Sequence, residues 1–349
     1  MRKKGPTIKD VAARAGVSVM AVSRVCNPQA TGQVSAAMRA KVVEAIDALG
    51  YQPDTVAQSL RRRRSDTIGF YNGYRGMLLL ADDFPRSIFA GLQDESADLG
   101  QDLLMFTVPD EPRSAAEVVH ELSTSKVDGV VFLPQEGDEE LARLLGESHQ
   151  NVVAVGEALP GVPAVTAQDG LGSRMIAQHL YDRGHRNILY RRSRRDLMSS
   201  RRRYESFMAT AVELGMNVIT TRTTAGMDDL DDAERSVIDN RHENGITAIA
   251  AWHDYSAVKA VLCCREQGLR VPEDIAVAGF DQLTPVLCPI DVSLTTIAVD
   301  WAQVARRAIT FLVKGRDPAV RPDLGDEVIV EDGRLEIAVG STLFVGNTT

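Results

Sequence analysis

Short apolar segments alternate with amphipathic helical stretches over residues 66–349. This rhythm predicts parallel β-sheets whose strands are joined by crossover helices. Ligands in such folds bind beyond the carboxyl ends of the strands or between two lobes. The candidate strands are Ile68–Tyr71, Leu103–Thr107, Val130–Leu133, Val152–Val155, Ile188–Tyr190, Ala248–Ala251 and Ile275–Ala278, and the candidate helices include Ile88–Leu99, Ala115–Leu122 and Ser173–Asp182.

The first fifty residues have the pattern of three short helices. Thr7 is a good N-cap for the first helix, and Gly16 supplies the positive φ that a sharp turn after it requires. Ser18 caps the second helix, and the third begins after Ser35 and stops at Gly50. Two short helices joined by a glycine-containing turn form a helix-turn-helix, although the pattern alone also fits a plain three-helix bundle. Ile8, Val11, Ala12 and Ala15 form one apolar stripe of the first helix, and Val19, Val22 and Val25 share a face of the second. We expect the third helix to bury Met38, Val42, Ile46 and Leu49.

Charge is distributed unevenly along the 349 residues, whose net charge is −9. Residues 1–64 contain 12 Lys and Arg but only 4 Asp and Glu, a net charge of +8, so the remainder carries −17. A basic N-terminal segment on an acidic body indicates that the segment meets a polyanion and the body does not. The alternative is an ordinary solvated surface.

Several protein classes are disfavoured by what the sequence lacks. The cysteines Cys26, Cys263, Cys264 and Cys288 have the spacing of neither a disulfide framework nor a zinc site, so we expect reduced thiols and a cytoplasmic, nucleoid-associated protein. No apolar run approaches the roughly 18 residues of a membrane span, and the polar N-terminus does not resemble a signal peptide. Without a recognisable catalytic triad, phosphate-binding loop or metal cluster, we expect no enzyme activity, cofactor or metal.

The first two predicted helices carry a specific motif. Residues 7–18 read TIKDVAARAGVS, and residues 22–25 read VSRV. This sequence strongly resembles the DNA-binding headpiece of the LacI/GalR family of bacterial transcriptional regulators. The resemblance implies a headpiece over residues 1–51 whose second helix lies in the major groove of operator DNA.

The resemblance also implies which side chains contact DNA. Val19 and Met20 occupy the base-reading positions, and because both are apolar we expect van der Waals contacts, for example with thymine methyl groups. Arg24 can donate two hydrogen bonds to one guanine. Core packing of Val19 and simple exposure of Met20 are the alternatives. The residues expected to contact phosphates are Thr7, Ser18, Ser23 and Asn27.

Residues 52–65 are similar to the family's hinge helix, followed here by a basic linker. In the family this segment becomes helical when a dimer sits on its operator, and a leucine opens the minor groove. Leu60 matches that leucine and Ala57 the small residue beside it; such an apolar wedge can kink DNA. Asp54 stands where the family usually has Asn, and Arg61–Arg64 either tracks phosphates or forms a solvated linker.

Motifs in the rest of the chain resemble the core of the same family. They are Gly184-His185-Arg186, the segment 268–275 leading to Gly279-Phe280-Asp281, and Leu294–Ile297. The resemblance covers nearly the whole chain and implies an α/β core of two periplasmic-binding-protein-like subdomains with parallel sheets and three crossovers. We place this effector-binding and dimerisation core at 66–349, with an N-subdomain at about 66–166 and 300–328 and a C-subdomain at about 167–299 and 329–349.

Five residues match positions of the family's effector cleft. Arg203 would donate to ligand hydroxyls or a carboxylate, and Asp281 would accept from hydroxyls. Trp301 would stack on a sugar ring, Phe84 matches a cleft aromatic, and His253 stands where the family often has Asn. The alternatives are an ion pair between Arg203 and Asp281, core packing of the two aromatic residues, and pairing of His253 with its neighbour Asp254.

Seven arginines lie between residues 191 and 203. We expect most of them to be solvated or paired with acids. The alternative is that one or two enter the cleft and select an anionic ligand such as a sugar acid or a phosphate.

These features predict a sequence-specific repressor that binds double-stranded operator DNA as a homodimer. A small effector, a sugar or sugar derivative, would control its affinity for DNA. The chain ends without leucine heptads, which favours a dimer over a tetramer. The alternatives are a regulator of the same family controlled by a protein partner, and a solute-binding protein that merely shares the core.

Overall fold

The computed structural model describes residues 5–26, 34–52, 64–72, 83–106, 113–123, 126–148, 151–223, 230–283, 292–315, 325–331 and 334–349. Its contacts divide the chain into two units, residues 1–65 and residues 66–349. Among these described residues, no helix is both long and apolar enough to cross a membrane.

The first unit contains the helices α1 (Ile8–Ala15), α2 (Val19–Val25) and α3 (Ala36–Leu49). They begin and end where the capping residues predicted, and they confirm the helix-turn-helix. Their common core is centred on Val11, Val22 and Val42. Met38 was expected in this core but is 37% exposed, since it lies one turn before Val42, the first buried residue of α3.

The second unit contains a seven-stranded sheet in its first lobe. Neighbouring strands of this sheet are parallel, except that the two strands at one edge form an antiparallel hairpin. Helices cover both faces, which is why the central strands are buried throughout. The strand order is β11 (Glu327–Glu331), β12 (Arg334–Val339), β5 (Ala164–Ala167), β4 (Val152–Val155), β3 (Gly129–Leu133), β1 (Thr67–Asn72) and β2 (Asp102–Phe106).

Two helices on one face of this sheet, α4 (Asp83–Asp98) and α12 (Trp301–Lys314), pack closely against each other. A Cβ atom at Gly91 would lie 2.1 Å from the carbonyl oxygen of Ala302. The close approach of the two backbones therefore requires glycine at this position. The opposite face is covered by α5 (Ala115–Leu122) and α6 (Glu139–Glu147).

The second lobe contains a four-stranded parallel sheet in the order β7 (Asn217–Arg222), β6 (Asn187–Arg192), β8 (Ala248–Ala251) and β9 (Ala276–Ala278). Parallel bridges from Ala278 to Thr295 and from Asp281 to Ala298 join it to an antiparallel ribbon. That ribbon consists of β10 (Thr296–Val299) and β13 (Ser341–Phe344). The helices of this lobe are α7 (Asp169–Asp182), α8 (Met198–Glu213), α9 (Asp232–Asp239), α10 (Arg241–Asn244) and α11 (Asp254–Glu266).

The chain passes between the lobes three times: after β5, after β10 and after β12. This connectivity confirms the predicted α/β core of two subdomains with three crossovers. The expected placement of residues 329–349 in the second subdomain is wrong for β12 and for the end of β11, because residues 336–339 of β12 pair in parallel with β5 and β11 pairs with β12. Of the last strands, only β13 belongs with the second lobe.

Candidate functional site

The start of α2 presents two apolar side chains to solvent. Val19 is 39% exposed and Met20 is 65% exposed, while Ser18 caps the helix by accepting a hydrogen bond from the Ala21 amide at 3.2 Å. Arg24 is exposed one turn further on. A helix with accessible side chains at its N-terminal end has the shape needed to enter a major groove.

The phosphate contacts expected at the start of α1 compete with a capping role. The Thr7 hydroxyl donates to the Asp10 carboxylate at 2.7 Å and accepts from the Asp10 amide at 3.4 Å. Hydrogen bonds from the Thr7 amide and hydroxyl lower the pKa of Asp10.

Among the other residues expected to contact DNA, Ser23 is half-buried, whereas Asn27, Ala57 and Leu60 lie outside the described residues. The roles of these residues toward DNA therefore stay predictions.

The carboxyl ends of strands from both sheets meet around Arg203. This buried arginine, on α8, donates from Nε to Asp169 Oδ1 at 2.7 Å and from Nη1 to the Trp252 carbonyl at 2.9 Å. Its Nη1 also reaches Asp281 Oδ2 at 3.2 Å, and its Nη2 lies 2.9 Å from Asp281 Oδ1. Its guanidinium carbon lies 3.8 Å from the centre of the Phe280 ring. The ion pair between Arg203 and Asp281, which was the alternative to their roles as effector contacts, is thus formed, with Asp169 as an additional partner; their roles toward an effector stay predictions.

The backbone at Asp281 is held in an unusual conformation. Its φ of 103° is in a region that residues other than glycine rarely adopt. Two residues earlier, Gly279 leaves no room for a side chain, because a Cβ atom there would lie 2.2 Å from Asp254 Oδ1. Such strain persists only where the surroundings impose it, and it is common at ligand sites.

Two further buried carboxyl groups complete the cluster. Asp254 accepts from the Thr296 hydroxyl at 2.7 Å and from the Leu283 amide at 2.8 Å. Burial raises its pKa well above the usual value, and the charge of Asp281 adds to this effect. Glu157, in the first lobe, accepts from the Ser199 amide of the second lobe at 2.9 Å.

The pKa of Glu157 is raised to about 7. Burial is the main cause and the negative charge of Asp169 adds to it, whereas the hydrogen bonds from Ser199 and the positive charge of Arg203 oppose it. Burial also raises the pKa of Asp169, against the lowering effect of Arg203. The cluster therefore resists the accumulation of negative charge.

The predicted cleft aromatics of the first lobe pack together. Phe84 meets Trp301 edge to face, with ring centres 4.7 Å apart. Trp301 is buried, and its Nε1 donor has no hydrogen-bond partner among the described residues. Core packing was the alternative for this residue, but a buried indole donor without a partner is unusual in a core and is suited to a ligand oxygen.

His253 has a structural role in the second lobe. Its Nδ1 accepts from the Ser256 amide at 3.1 Å and so caps α11, while its ring stacks on Trp252 at 3.7 Å. The half-buried ring remains a candidate contact for an effector, and its role in binding stays a prediction.

Most of the arginine cluster is paired with acids, as expected. Arg191 is fully buried and forms two hydrogen bonds with Glu234, at 2.9 and 3.0 Å. Arg202 pairs with the buried Glu336 of the first lobe, to which its Nη2 donates at 2.9 Å. Arg203 alone joins the cluster around Asp281.

Sequence reasoning missed three carboxyl groups of this site: Glu157, Asp169 and Asp254. Glu157 and Asp169 each follow a first-lobe strand by two residues, and Asp254 follows β8. Ligand sites form at the carboxyl ends of parallel strands, so a search for acids directly after each predicted strand would have found Glu157 and Asp254. Asp169 follows β5, which was not among the predicted strands.

Comparisons with known proteins match both parts of the chain. Residues 7–54 match bacterial regulatory proteins of the lacI family, and residues 177–324 match periplasmic-binding-protein-like domains. The transcriptional regulator CelR of Thermobifida fusca is 32% identical over 296 residues, which cover 81% of this chain and 84% of CelR. The transcriptional repressor PurR of Mannheimia succiniciproducens is 28% identical over 316 residues, covering 88% and 90% of the two chains.

Solved structures show the same fold. The Lac repressor bound to ONPG in its repressed state aligns with a TM-score of 0.76 at 24% identity, covering 99% of this chain and 100% of the repressor chain. A complex of CelR with cellobiose aligns with a TM-score of 0.66 at 25% identity, covering 99% and 100% of the two chains. The helix-turn-helix, the two-lobed core and the relationship to CelR together lead to one assignment: the chain belongs to the lacI family of bacterial regulatory proteins.

Proposed function

We propose that this transcriptional regulator binds an operator as a homodimer and that a small effector between its two lobes controls its affinity for DNA. The observation that carries the proposal is the cluster around Arg203, where the strand ends of both lobes converge on one buried group. A ligand that contacts both lobes favours one arrangement of them, and this preference can be transmitted to bound DNA.

A hydroxyl-rich effector suits the described side chains. Asp281 offers carboxylate acceptors, Trp301 offers a donor that no described residue engages, and the Phe84–Trp301 pair offers an apolar wall. The solved complex of CelR with cellobiose supports a sugar, since CelR is a relative over most of its length. The buried polar cluster around Arg203 also favours a metabolite over a protein partner as the controlling ligand.

The DNA-binding part of the proposal assigns the base contacts to Val19, Met20 and Arg24. Arg24→Ala should cost about 1–3 kcal/mol of operator binding and relax specificity at one base pair of each half-site. Arg39→Ala, on the exposed surface of α3, is the matched control. Selection of binding sequences from random DNA would measure both effects, and weakening that is uniform across sequences would mean that Arg24 contacts only phosphate.

The effector part is tested by thermal shift of the full chain against sugars and sugar derivatives. Asp281→Asn removes the proposed acceptor with little change in shape, and Asp196→Asn changes an exposed acid near the start of α8. A ligand that stabilises the wild type and Asp196→Asn but not Asp281→Asn supports the cleft. A stabilising ligand that is indifferent to Asp281→Asn would place the effector elsewhere.

The proposal also includes a homodimeric assembly and a cytoplasmic location. A two-fold dimer presents two recognition helices to a near-palindromic operator, and access to the chromosome requires a cytoplasmic protein. Analytical ultracentrifugation at micromolar protein should show a dimer, and a tight tetramer would contradict the proposed assembly.

A further inference from the structure

The hydrogen-bonding capacity of Arg203 is almost used up by the protein. A guanidinium group has five N–H donors. Hydrogen bonds run from Nε to Asp169 and from Nη1 to the Trp252 carbonyl and Asp281 Oδ2, while Nη2 forms an ion pair with Asp281 Oδ1 at 2.9 Å. The charge of the guanidinium is therefore already matched by two carboxylates, which leaves little attraction for the carboxylate or phosphate of a ligand.

The other cationic groups near this cluster are engaged as well. Arg202 pairs with Glu336, which also accepts from the Thr166 hydroxyl at 2.7 Å. Arg191 is occupied by Glu234 and by the hydroxyl of Ser256 at 2.9 Å. The arginine-rich segment thus supplies no unengaged buried cation to these acids.

Acids outnumber bases within the cluster itself. Among the described residues, Asp169, Asp281, Asp254 and Glu157 interact with one another and with Arg203, and the charge of Arg202, which is paired with Glu336, also acts on Asp169 and Glu157. The raised pKa values of Glu157 and Asp254 show that this environment already disfavours negative charge. A ligand that brings another negative charge meets the same opposition.

Two buried polar atoms in this region are not hydrogen-bonded within the described residues. Asp281 Oδ1 is an acceptor that has only the ion-pair contact with Arg203, and Trp301 Nε1 is a donor. Buried polar groups are normally satisfied, so these two atoms are suited to a ligand. A hydroxyl group can serve either of them, since it both donates and accepts.

We propose that the cleft admits uncharged or cationic polyhydroxy compounds and excludes anionic ones, and that Glu157 is a specificity-determining residue for this selection. The inference rests on the proposed function, because it assigns the effector to the same cleft. Glu157 interacts electrostatically with Asp169 on α7, and with Arg202 and Arg203 on α8. Removing its charge leaves the hydrogen bond from the Ser199 amide available, because a glutamine oxygen can still accept it.

The test measures dissociation constants by calorimetry on the full chain. The probes are hexoses, pentoses and disaccharides such as cellobiose, each with its amino-sugar, sugar-acid and sugar-phosphate counterparts. The proteins are the wild type, Glu157→Gln and the control Glu136→Gln. Glu136 is matched because it is also a first-lobe glutamate that accepts an amide of the second lobe, that of Asp196 at 3.0 Å, but it is exposed.

In the wild type at pH 8, we expect an anionic probe to bind at least about tenfold more weakly than its neutral parent. Glu157→Gln should reduce this ratio by about tenfold, and Glu136→Gln should leave it unchanged. For the sugar-acid probes, which stay ionised between pH 6 and pH 8, the wild-type ratio should shrink at pH 6, where Glu157 carries less charge, and this pH dependence should be absent in Glu157→Gln. The sugar phosphates are compared at pH 8 only, because their second pKa is about 6.

An anionic probe that binds as tightly as its neutral parent would overturn the proposal, as would a ratio that Glu157→Gln does not change. If no probe binds to a chain that still binds its operator, the proposed ligand class is wrong while the DNA-binding function stands. If the chain binds no operator either, the proposed function itself fails.

Discussion

Replacing Glu157 with glutamine should change how the stability of the core depends on pH. The carboxyl group has a pKa of about 7 in the folded chain, against an ordinary value of 4.5. Between these values the folded state binds more protons than the unfolded state, so stability falls as pH rises through this window. Each pKa unit corresponds to about 1.4 kcal/mol, and ionised Glu157 therefore costs about 3 kcal/mol of unfolding free energy above pH 7.

Glu157→Gln removes this cost at high pH and has little such effect near pH 4.5, where the carboxyl group is protonated in the folded state and half protonated in the unfolded state. The difference in unfolding free energy between the variant and the wild type should therefore increase by about 3 kcal/mol, in favour of the variant, from pH 4.5 to pH 8. Asp169 and Asp254 titrate in both proteins, so the difference reports on Glu157 together with its electrostatic coupling to Asp169.

Urea unfolding followed by tryptophan fluorescence is the appropriate assay. The two tryptophans of the chain, Trp252 and Trp301, both belong to residues 66–349, so the signal reports on the core and not on the headpiece. Glu136→Gln is the control, because its carboxylate is exposed. If Glu157→Gln differs from the wild type by the same amount at both pH values, the assignment of the buried charge is refuted.

Three further substitutions test how the fold is held together. Glu234→Ala should destabilise the core by about 3–5 kcal/mol in the same urea assay, because it leaves Arg191 buried without its carboxylate; a loss below 1 kcal/mol would mean that the pair is not buried in solution. Gly91→Ala should cost about 1–3 kcal/mol through overlap with the α12 backbone, and Ala90→Ser on the exposed side of α4 should cost less than about 0.5 kcal/mol. Thr7→Ala removes the cap of α1 and should cost about 1 kcal/mol, seen as roughly fivefold faster hydrogen exchange in α1 but not in α3; equal exchange in both proteins would contradict the capping role.

The headpiece could be predicted in detail because its signals are local. Thr7, Ser18 and Ser35 each cap the helix that follows, and Gly16 and Gly50 end helices in the left-handed conformation. Each signal depends on residues within one helical turn, so reading the chain in order is sufficient. Met38 was wrongly predicted to be buried. Helical spacing shows which face of α3 is apolar, but it does not show over which part of that face α1 and α2 pack.

The effector cleft was only partly predictable because its contacts are long-range. Arg203 and Asp281 were identified through motifs, but the partners that hold them were not. Arg203 is separated from Asp169 by 34 residues, and Arg202 from Glu336 by 134. No periodicity in the sequence indicates such pairs, because they depend on the order of the strands in the sheet. This order places β12 beside β5, whereas the sequence had led us to expect β12 in the second subdomain.

The pairing of β12 with β5 also constrains the order in which the chain can fold during synthesis. All of the second lobe except β13 lies between the partners Ala164 and Glu336, so one edge of β5 has no strand beside it until residues 334–339 have left the ribosome. Contacts of such long sequence separation form slowly. An unpaired strand edge is a template for aggregation, and a regulator of this topology therefore remains vulnerable until its final hairpin closes the first sheet.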